Sequence, residues 1–378
     1  MRRWMFVALA VFALPSERVT AATRVRTKLY FCRRAETPPT IDGVLDDECW
    51  KNAYVMEDFG FLNIGDQVGP APKTYVRILY DKDNLYFAVD CKEPLMDKLR
   101  ESLAHSGYLF WKDCLEWYID TQNDDKGFVC LWANPIGESF SETLTDMGWA
   151  VVRDYSTFRL WARWGYAPKM NADGWVVEGW FALKDLKIKP VEGTVVGLNP
   201  CRFRFVGPTA QFLCWSTVGS RQKNPAEYGH MVLGDAPAAL DGVLKRIYPQ
   251  YMQMIIEMPK GDSMAVYEKG KVSVVSYSDV VKKRFAATGE RLAAAEKDFE
   301  PVKGMRELEA SVKAMKTCRE DYDKAQKEYL ESAEIGEGRC LYFLRTLDKI
   351  ETVLDTQLWN VKIENLLEGF RKQVAAAK

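Results

Sequence analysis

The sequence predicts a mainly β chain, an antiparallel β-sandwich followed by a C-terminal α-helical hairpin or coiled-coil region. Three observations carry that expectation. From about Pro38 to Asp235, short aromatic and β-branched runs alternate with turn signals at the spacing of a sandwich. From about Asp279 onward the composition turns to Ala, Glu, Lys, Leu and Met, with apolar residues at helical spacing. The length of 378 residues suits about two domains at roughly 100 to 200 residues each.

The strands follow in order. Residues 74–80 and 85–91 are joined by Asp81-Lys82-Asp83-Asn84, whose polar side chains suit a tight turn, so a hairpin is expected. Residues 115–120 and 128–133 flank the turn-rich stretch from Thr121 to Gly127, and 158–164, 175–182, 195–205 and 212–215 continue the series. Within residues 113–120 a period of two puts Leu115, Trp117 and Ile119 on one face and Cys114, Glu116, Tyr118 and Asp120 on the other. The first face is apolar and therefore core. The second carries hydrogen-bonding groups beside an aromatic ring. The same alternation places Trp161 among Arg159 and Arg163, away from Leu160, Ala162 and Trp164.

In the helical part, Leu308, Met315, Tyr322 and Tyr329 recur every seven residues, with Met305 and Val312 in the companion register. Leu347, Leu354 and Val361 repeat the pattern. Pro301 is expected to break the first helix, and Gly336-Glu337-Gly338 to separate the second from the third. Between sandwich and helices, Glu268-Lys269-Gly270-Lys271 between two apolar runs predicts a further hairpin.

The start of the chain reads as an address. Arg2 and Arg3 precede an apolar run over 4–14, and Val19-Thr20-Ala21-Ala22 offers small residues for cleavage, so residues 1–22 are expected to be a secretory signal peptide. An uncleaved anchor is the other reading of that segment. The run is short of the ~20 residues of a membrane span, and no stable span is expected after cleavage. The division expected is therefore 1–22 signal peptide, 23–37 lead-in, 38–235 sandwich, 236–278 connecting segment and 279–378 helical domain. Export to the periplasm, cell surface or exterior follows.

Composition excludes several classes. Lys and Arg number 52 against 53 Asp and Glu, so no global basic field points to nucleic acid. Only 2 His are present, His105 and His230, which leaves little material for His-based catalysis or multi-His metal sites. The 9 Cys are odd in number and contain no C-x-x-C pair, so neither a disulfide ladder nor a zinc ribbon is suggested. Cys201 with Cys214 is the pair to test first as a bridge.

Five stretches carry a resemblance. Residues 39–53, with Ile41-Asp42-Gly43-Val44-Leu45-Asp46-Asp47 ahead of Trp50, are similar to the opening of carbohydrate-binding module family 9. The likeness continues through Val76 to Asp81 with Asn84 to Val89, through Asp113-Cys114-Leu115-Glu116-Trp117-Tyr118-Ile119-Asp120, and through Trp175-Val176-Val177-Glu178-Gly179-Trp180. It closes with Gly197-Leu198-Asn199, Trp215-Ser216 and Tyr228-Gly229-His230-Met231, covering roughly residues 38 to 235. The resemblance implies an immunoglobulin-like or jelly-roll-type sandwich that holds sugar between aromatic rings, with carboxylate and amide groups on the hydroxyls. Trp111, Glu116, Asn199 and Trp215 are the positions that match, Gln222 and Asn224 are further amides, and Tyr118 and Trp161 join them from strand alternation. Trp50, Trp117 and Trp175 read as core. Glu116 either meets a ligand or pairs with an Arg of a neighbouring strand such as Arg202 or Arg204. Some members carry calcium, and Asp81, Asp83, Asn123 and Asp125 offer the oxygen donors it takes. Turn chemistry explains the same four residues without a metal.

The leading expectation is non-catalytic binding of a polysaccharide or oligosaccharide, linked to carbohydrate catabolism, with the helical domain serving self-association or a protein partner. An envelope scaffold with a degenerate sugar site is the alternative. A glycosidase needs two carboxylates roughly 5 to 9 Å apart across a bond. Asp113 and Glu116 point to opposite faces, and Glu116 and Asp120 lie about 13 Å apart at ~3.3 Å per residue. A haem-binding relative would use His105 or His230 with one of 13 Met, but no C-x-x-C-H motif is present.

Overall fold

The period-two pattern becomes two packed sheets in a computed structural model of the chain, which describes residues 23–57, 59–62, 71–104, 112–144, 163–216, 223–237, 240–261 and 263–376. One sheet runs β10 (Trp164–Met170), β11 (Gly174–Ala182), β6 (Asn84–Lys92) and β5 (Thr74–Tyr80), with β3 (Val55–Met56) beside β5. The other runs β14 (Gly229–Leu233), β12 (Val195–Arg204), β7 (Cys114–Asp120), β8 (Phe128–Ala133) and β9 (Ser139–Leu144). The far half of β12 also pairs with β13 (Gln211–Cys214), which carries β4 (Gly60–Phe61) on its outer side. All these pairings are antiparallel. Strand β2 (Leu29–Arg34) joins the two sheets: its first residues pair in parallel with β14, and Arg33 and Arg34 pair with β5.

Between the sheets, Leu115, Trp117 and Ile119 meet Phe87, Val89, Trp175, Val177 and Phe181 in one core. The rings of Phe87 and Trp117 stand 4.7 Å apart. Gly179 makes that possible, because a Cβ there would come within 2.2 Å of the Phe87 ring. Short helix α1 (Met96–Ala104) adds Met96, Leu99 and Leu103 to the same core.

A second layer covers the outside of the first sheet. Glu178 of β11 is fully buried and accepts the backbone N–H groups of Asp42, Gly43 and Val44 at 3.2, 2.9 and 3.2 Å, and the Trp50 indole N–H at 2.8 Å. Burial raises the Glu178 carboxyl while these donors pull it back down. Gly43 sits at φ +80°, and a Cβ would crowd Lys169 Cβ at 3.1 Å, so the turn that aims three N–H groups at one carboxylate requires glycine. Trp50, Ala53, Leu79, Tyr86 and Ala88 then close into a small apolar cluster.

The remaining chain builds a third sheet and a helical layer. Strand β1 (Thr23–Arg26) pairs in parallel with β15 (Met254–Lys260), followed by β16 (Ser263–Glu268) and β17 (Lys271–Ser276). The expected hairpin is present, with Lys269 and Gly270 both at positive φ, as a two-residue type I′ turn requires. Helix α2 (Asp241–Ile247) packs Leu244 against Ile256 and Tyr267. Helix α3 (Tyr277–Phe299) starts with the Ser276 hydroxyl accepting the Asp279 N–H and stops just ahead of Pro301. Helices α4 (Glu309–Leu330) and α5 (Glu337–Ala376) both pack on α3. Leu308, Met315, Tyr322, Leu347, Leu354 and Val361 are all buried in this seam, as their sevenfold spacing predicts.

A partly buried ion network ties the third sheet to the helices. Glu257 of β15 pairs with Arg26 at 2.7 Å and Arg24 at 3.1 Å, while Asp348 of α5 takes Arg26 at 2.6 Å and Arg284 of α3 at 2.8 Å.

Two predictions follow from these contacts. Glu178→Ala strips one acceptor from four donors, two of them buried, and should lower unfolding free energy by roughly 3 kcal/mol in urea titration, with Glu178→Gln intermediate. A loss below about 0.5 kcal/mol would mean that Trp50 holds the segment by apolar contact alone. His230 donates through Nδ1 to Asn123 Oδ1 at 2.7 Å and its Nε2 faces the Tyr248 hydroxyl at 3.3 Å; burial lowers its pKa to about 4. The unfolded chain takes up this proton near pH 6.5, so the stabilisation is complete above that and declines as pH falls toward about 4. The stability difference between pH 7.5 and 4.5 should shrink by about 2 to 3 kcal/mol in His230→Gln. An unchanged difference would show that the imidazole titrates in the folded chain as it does in water.

Candidate functional site

The outer face of the second sheet gathers the groups that alternation assigned to one side of β7. Register places Trp132, Glu116, Cys201 and Cys214 in one row across β8, β7, β12 and β13, and Cys130, Tyr118 and Asn199 in the next. Tyr118 donates its hydroxyl to Glu116 Oε2. The rings of Phe128 and Tyr228 stand 5.4 and 6.2 Å from Tyr118. Leu62, Phe203, Phe205 and Phe212 complete the cluster. Burial, with the neighbouring Cys130 and Glu116, holds the Tyr118 phenol well above its ordinary range, so it stays a proton donor. Chemically the face offers a carboxylate, a phenol and an amide among aromatic rings and thiols.

This face is closed. Glu116 and Tyr118 are 0% exposed, Asn199 2% and Trp215 4%. Asn199 donates to the Ser216 carbonyl at 3.3 Å and accepts the Ser216 N–H at 2.9 Å, which pins the segment after β13. Trp215 lies in the core between the sheets, its ring over Gly229, where a Cβ would come within 2.4 Å. Asn224 is half-buried at the start of a short helical turn, its carbonyl accepting the Glu227 N–H at 3.0 Å. Trp111, Trp161 and Gln222 lie outside the described residues, as does His105.

Glu116 does not pair with Arg202 or Arg204. Both arginines go instead to Glu93, directly after β6. Arg204 forks onto its two oxygens at 2.7 and 2.8 Å, and Arg202 adds a contact at 3.0 Å. Asp113, at the start of the β7 segment, accepts the Phe205 N–H at 3.1 Å, and burial raises its carboxyl to about 6. Cys201 and Cys214 are direct neighbours across β12 and β13, with sulfurs 2.9 Å apart, but they are free thiols rather than a bridge.

The two turns considered for calcium are held by their own hydrogen bonds. Asp81 accepts the N–H groups of Asp83 and Asn84 at 2.7 Å each and the Tyr86 hydroxyl at 2.9 Å, while Asp83 is exposed. In the second turn Asp120 accepts the N–H groups of Gln122, Asp124 and Asp125. Asn123 and Asp125 adopt φ of 50° and 63°, and Asn123 holds His230. Among the described residues, no three His, Cys, Asp or Glu side chains converge as a metal cage.

Sequence reasoning missed several members of the closed face: Phe128, Cys130, Trp132, Cys201 and Tyr228. The period-two alternation in β8 carried a signal for the first three. Nothing local marks Tyr228, which reaches the face only because β14 pairs with β12.

Comparison with known proteins places the sandwich. The carbohydrate family 9 binding domain-like profile matches residues 41–236. Endo-1,4-beta-xylanase A of Thermotoga neapolitana is 24% identical over 198 residues, which is 52% of this chain but 17% of the xylanase. Two structures of a carbohydrate binding module family 9 from Caldicellulosiruptor kristjanssonii, one in complex with cellotriose and one with glucose, are each 18% identical. They give TM-scores of 0.41 and 0.40, covering 56% and 57% of this chain and 96% and 100% of theirs. The matched residues begin at the Ile41-Asp42-Gly43 turn and end just past β14, so the profile covers every strand of the two-sheet sandwich except β2, and the chain belongs to the carbohydrate family 9 binding domain-like family.

Proposed function

We propose that the chain is an exported, non-catalytic carbohydrate-binding protein that takes a polysaccharide or oligosaccharide in the service of carbohydrate catabolism, and that its helical region serves association. The observation that carries this reading is the coincidence of the family match with a sandwich whose outer face groups Glu116, Tyr118 and Asn199 beside aromatic rings. A pyranose is recognised by a flat apolar surface for its ring faces and by paired donors and acceptors for its hydroxyls. The phenol and carboxylate of Tyr118 and Glu116 are of that chemistry, and their buried hydrogen bond pre-organises whatever rests on them. In this reading Trp111, Trp161 and Gln222 supply the direct contacts, with Trp215 and Asn224 as their support.

An enzyme is the weaker reading, because Glu116 is fully buried. Asp113 projects toward Phe205 rather than toward Glu116's side of the strand. The scaffold reading is favoured by one observation, the closure of the outer face.

A panel of insoluble and soluble glycans, with calcium or with chelator, separates these readings. Saturable binding to one glycan class is expected, and Trp111→Ala should weaken it at least about tenfold with an unchanged melting curve. No binding across the panel would leave the scaffold reading standing, and unchanged affinity in folded Trp111→Ala would remove that residue from the site. Loss of binding with chelator would show that a divalent metal takes part in binding.

A further inference from the structure

Helix α5 spans 40 residues, about 60 Å, whereas α3 and α4 have 23 and 22. It therefore outruns the helices it packs on. Near that end it is tied to them by Val361, buried in the seam, and Asn360, whose amide donates to the Ser311 hydroxyl at 3.2 Å. Around and beyond that point Trp359, Ile363, Leu366, Leu367, Phe370 and Val374 are 38 to 56% exposed. At 100° per residue all six fall within one arc of about 100°, opposite the buried Val361 side.

We infer that this stripe is the interface with a second copy of the chain, formed by the two α5 ends lying antiparallel about a two-fold axis between Leu366 and Leu367. The spacing is palindromic about that point. Trp359 meets Val374 of the second copy, Ile363 meets Phe370, and Leu366 meets Leu367. The largest ring faces the smallest side chain, as interdigitated packing requires, and the contact is isologous. The flanking charges agree. Lys362 falls beside Gln373 of the second copy and Arg371 beside Asn360, so no like charges are brought together. Glu364 and Glu368 are already engaged by Arg371 at 2.5 Å and Lys372 at 2.8 Å within their own helix. With large apolar side chains of roughly 150–250 Å², the exposed fractions amount to on the order of 500 Å² per copy. Pairing then buries about 1,000 Å² in total, the lower bound of a specific interface and at the size where an exposed apolar patch marks an interaction site. The complex is therefore concentration-dependent. Two sandwiches joined this way would grip a polysaccharide at two points and gain avidity; that consequence alone rests on the carbohydrate reading.

Sedimentation of the chain over a hundredfold concentration range tests the pairing without any glycan. The mass should rise from one copy's 43.3 kDa toward twice that. The double variant Leu366→Glu with Phe370→Glu should remain at one copy throughout, with the same circular dichroism. A dimer that survives the double variant, or a wild-type chain that stays single while its stripe binds vesicles or another protein, overturns the proposal. Direction is read by mild oxidation. An antiparallel pair sets residue 374 about 22 Å along the axis from its counterpart, so Val374→Cys should not cross-link to itself, whereas a mixture of Trp359→Cys and Val374→Cys should. Self-linkage of Val374→Cys would overturn the antiparallel arrangement.

Discussion

The sandwich depends on one buried ion cluster. Glu93 closes β6 of the first sheet, Arg202 and Arg204 lie two apart on β12 of the second, and all three are at most 6% exposed in their side chains. Burial works against the Glu93 charge, but the Arg204 fork, the Leu95 N–H and the second arginine hold its carboxyl below the ordinary range. Arg202 also donates to the Lys92 carbonyl at 2.8 Å and to Thr74 Oγ1 at 3.3 Å, while Arg204 reaches Gln211 at 3.1 Å. One carboxylate thus ties the ends of β5 and β6 to β12 and β13. An unpaired charge there would cost about 3 to 5 kcal/mol, so a slipped register of β12, which would turn both arginines to the opposite face, is strongly disfavoured.

That register decides the candidate site. With Arg202 and Arg204 turned to Glu93, Cys201 and Phe203 must turn outward, and Asn199 with them. The outer face then consists of whatever β7, β8 and β13 present at the same level: Glu116, Tyr118, Cys130, Trp132 and Cys214. Tyr118 is hydrogen-bonded to Glu116, Asn199 to the Ser216 backbone, and the rings touch one another.

The first sheet is organised by a second carboxylate, Glu178, and the two acids use different donors. Glu93 is met by side chains from a distant strand. Glu178 is met by the backbone of a turn whose glycine is sterically required and by one indole. A turn with that geometry leaves a compact mark in the sequence, Ile41-Asp42-Gly43, with Trp50 one short helical turn later. This is why the opening of the sandwich was legible from residue order alone.

The sequence by itself determined the strand and helix periods, the hairpins at Asp81–Asn84 and Lys269–Gly270, the helix breaks at Pro301 and Gly336, the core face of β7, and the family. The periods, turns and helix breaks are local properties of alternation and turn chemistry, and the family was legible from five short stretches taken in order. Tertiary structure decided the rest. It sent Arg202 and Arg204 to Glu93 instead of Glu116, left Cys201 and Cys214 as neighbouring thiols, buried Trp215 over Gly229, and brought Tyr228 to Tyr118. It also carried strand β1 away from the sandwich to pair with β15, more than 200 residues later. Such outcomes depend on which strands become neighbours and on how completely a face is covered. Both are set by the free energy of packing the whole chain, which no local pattern encodes.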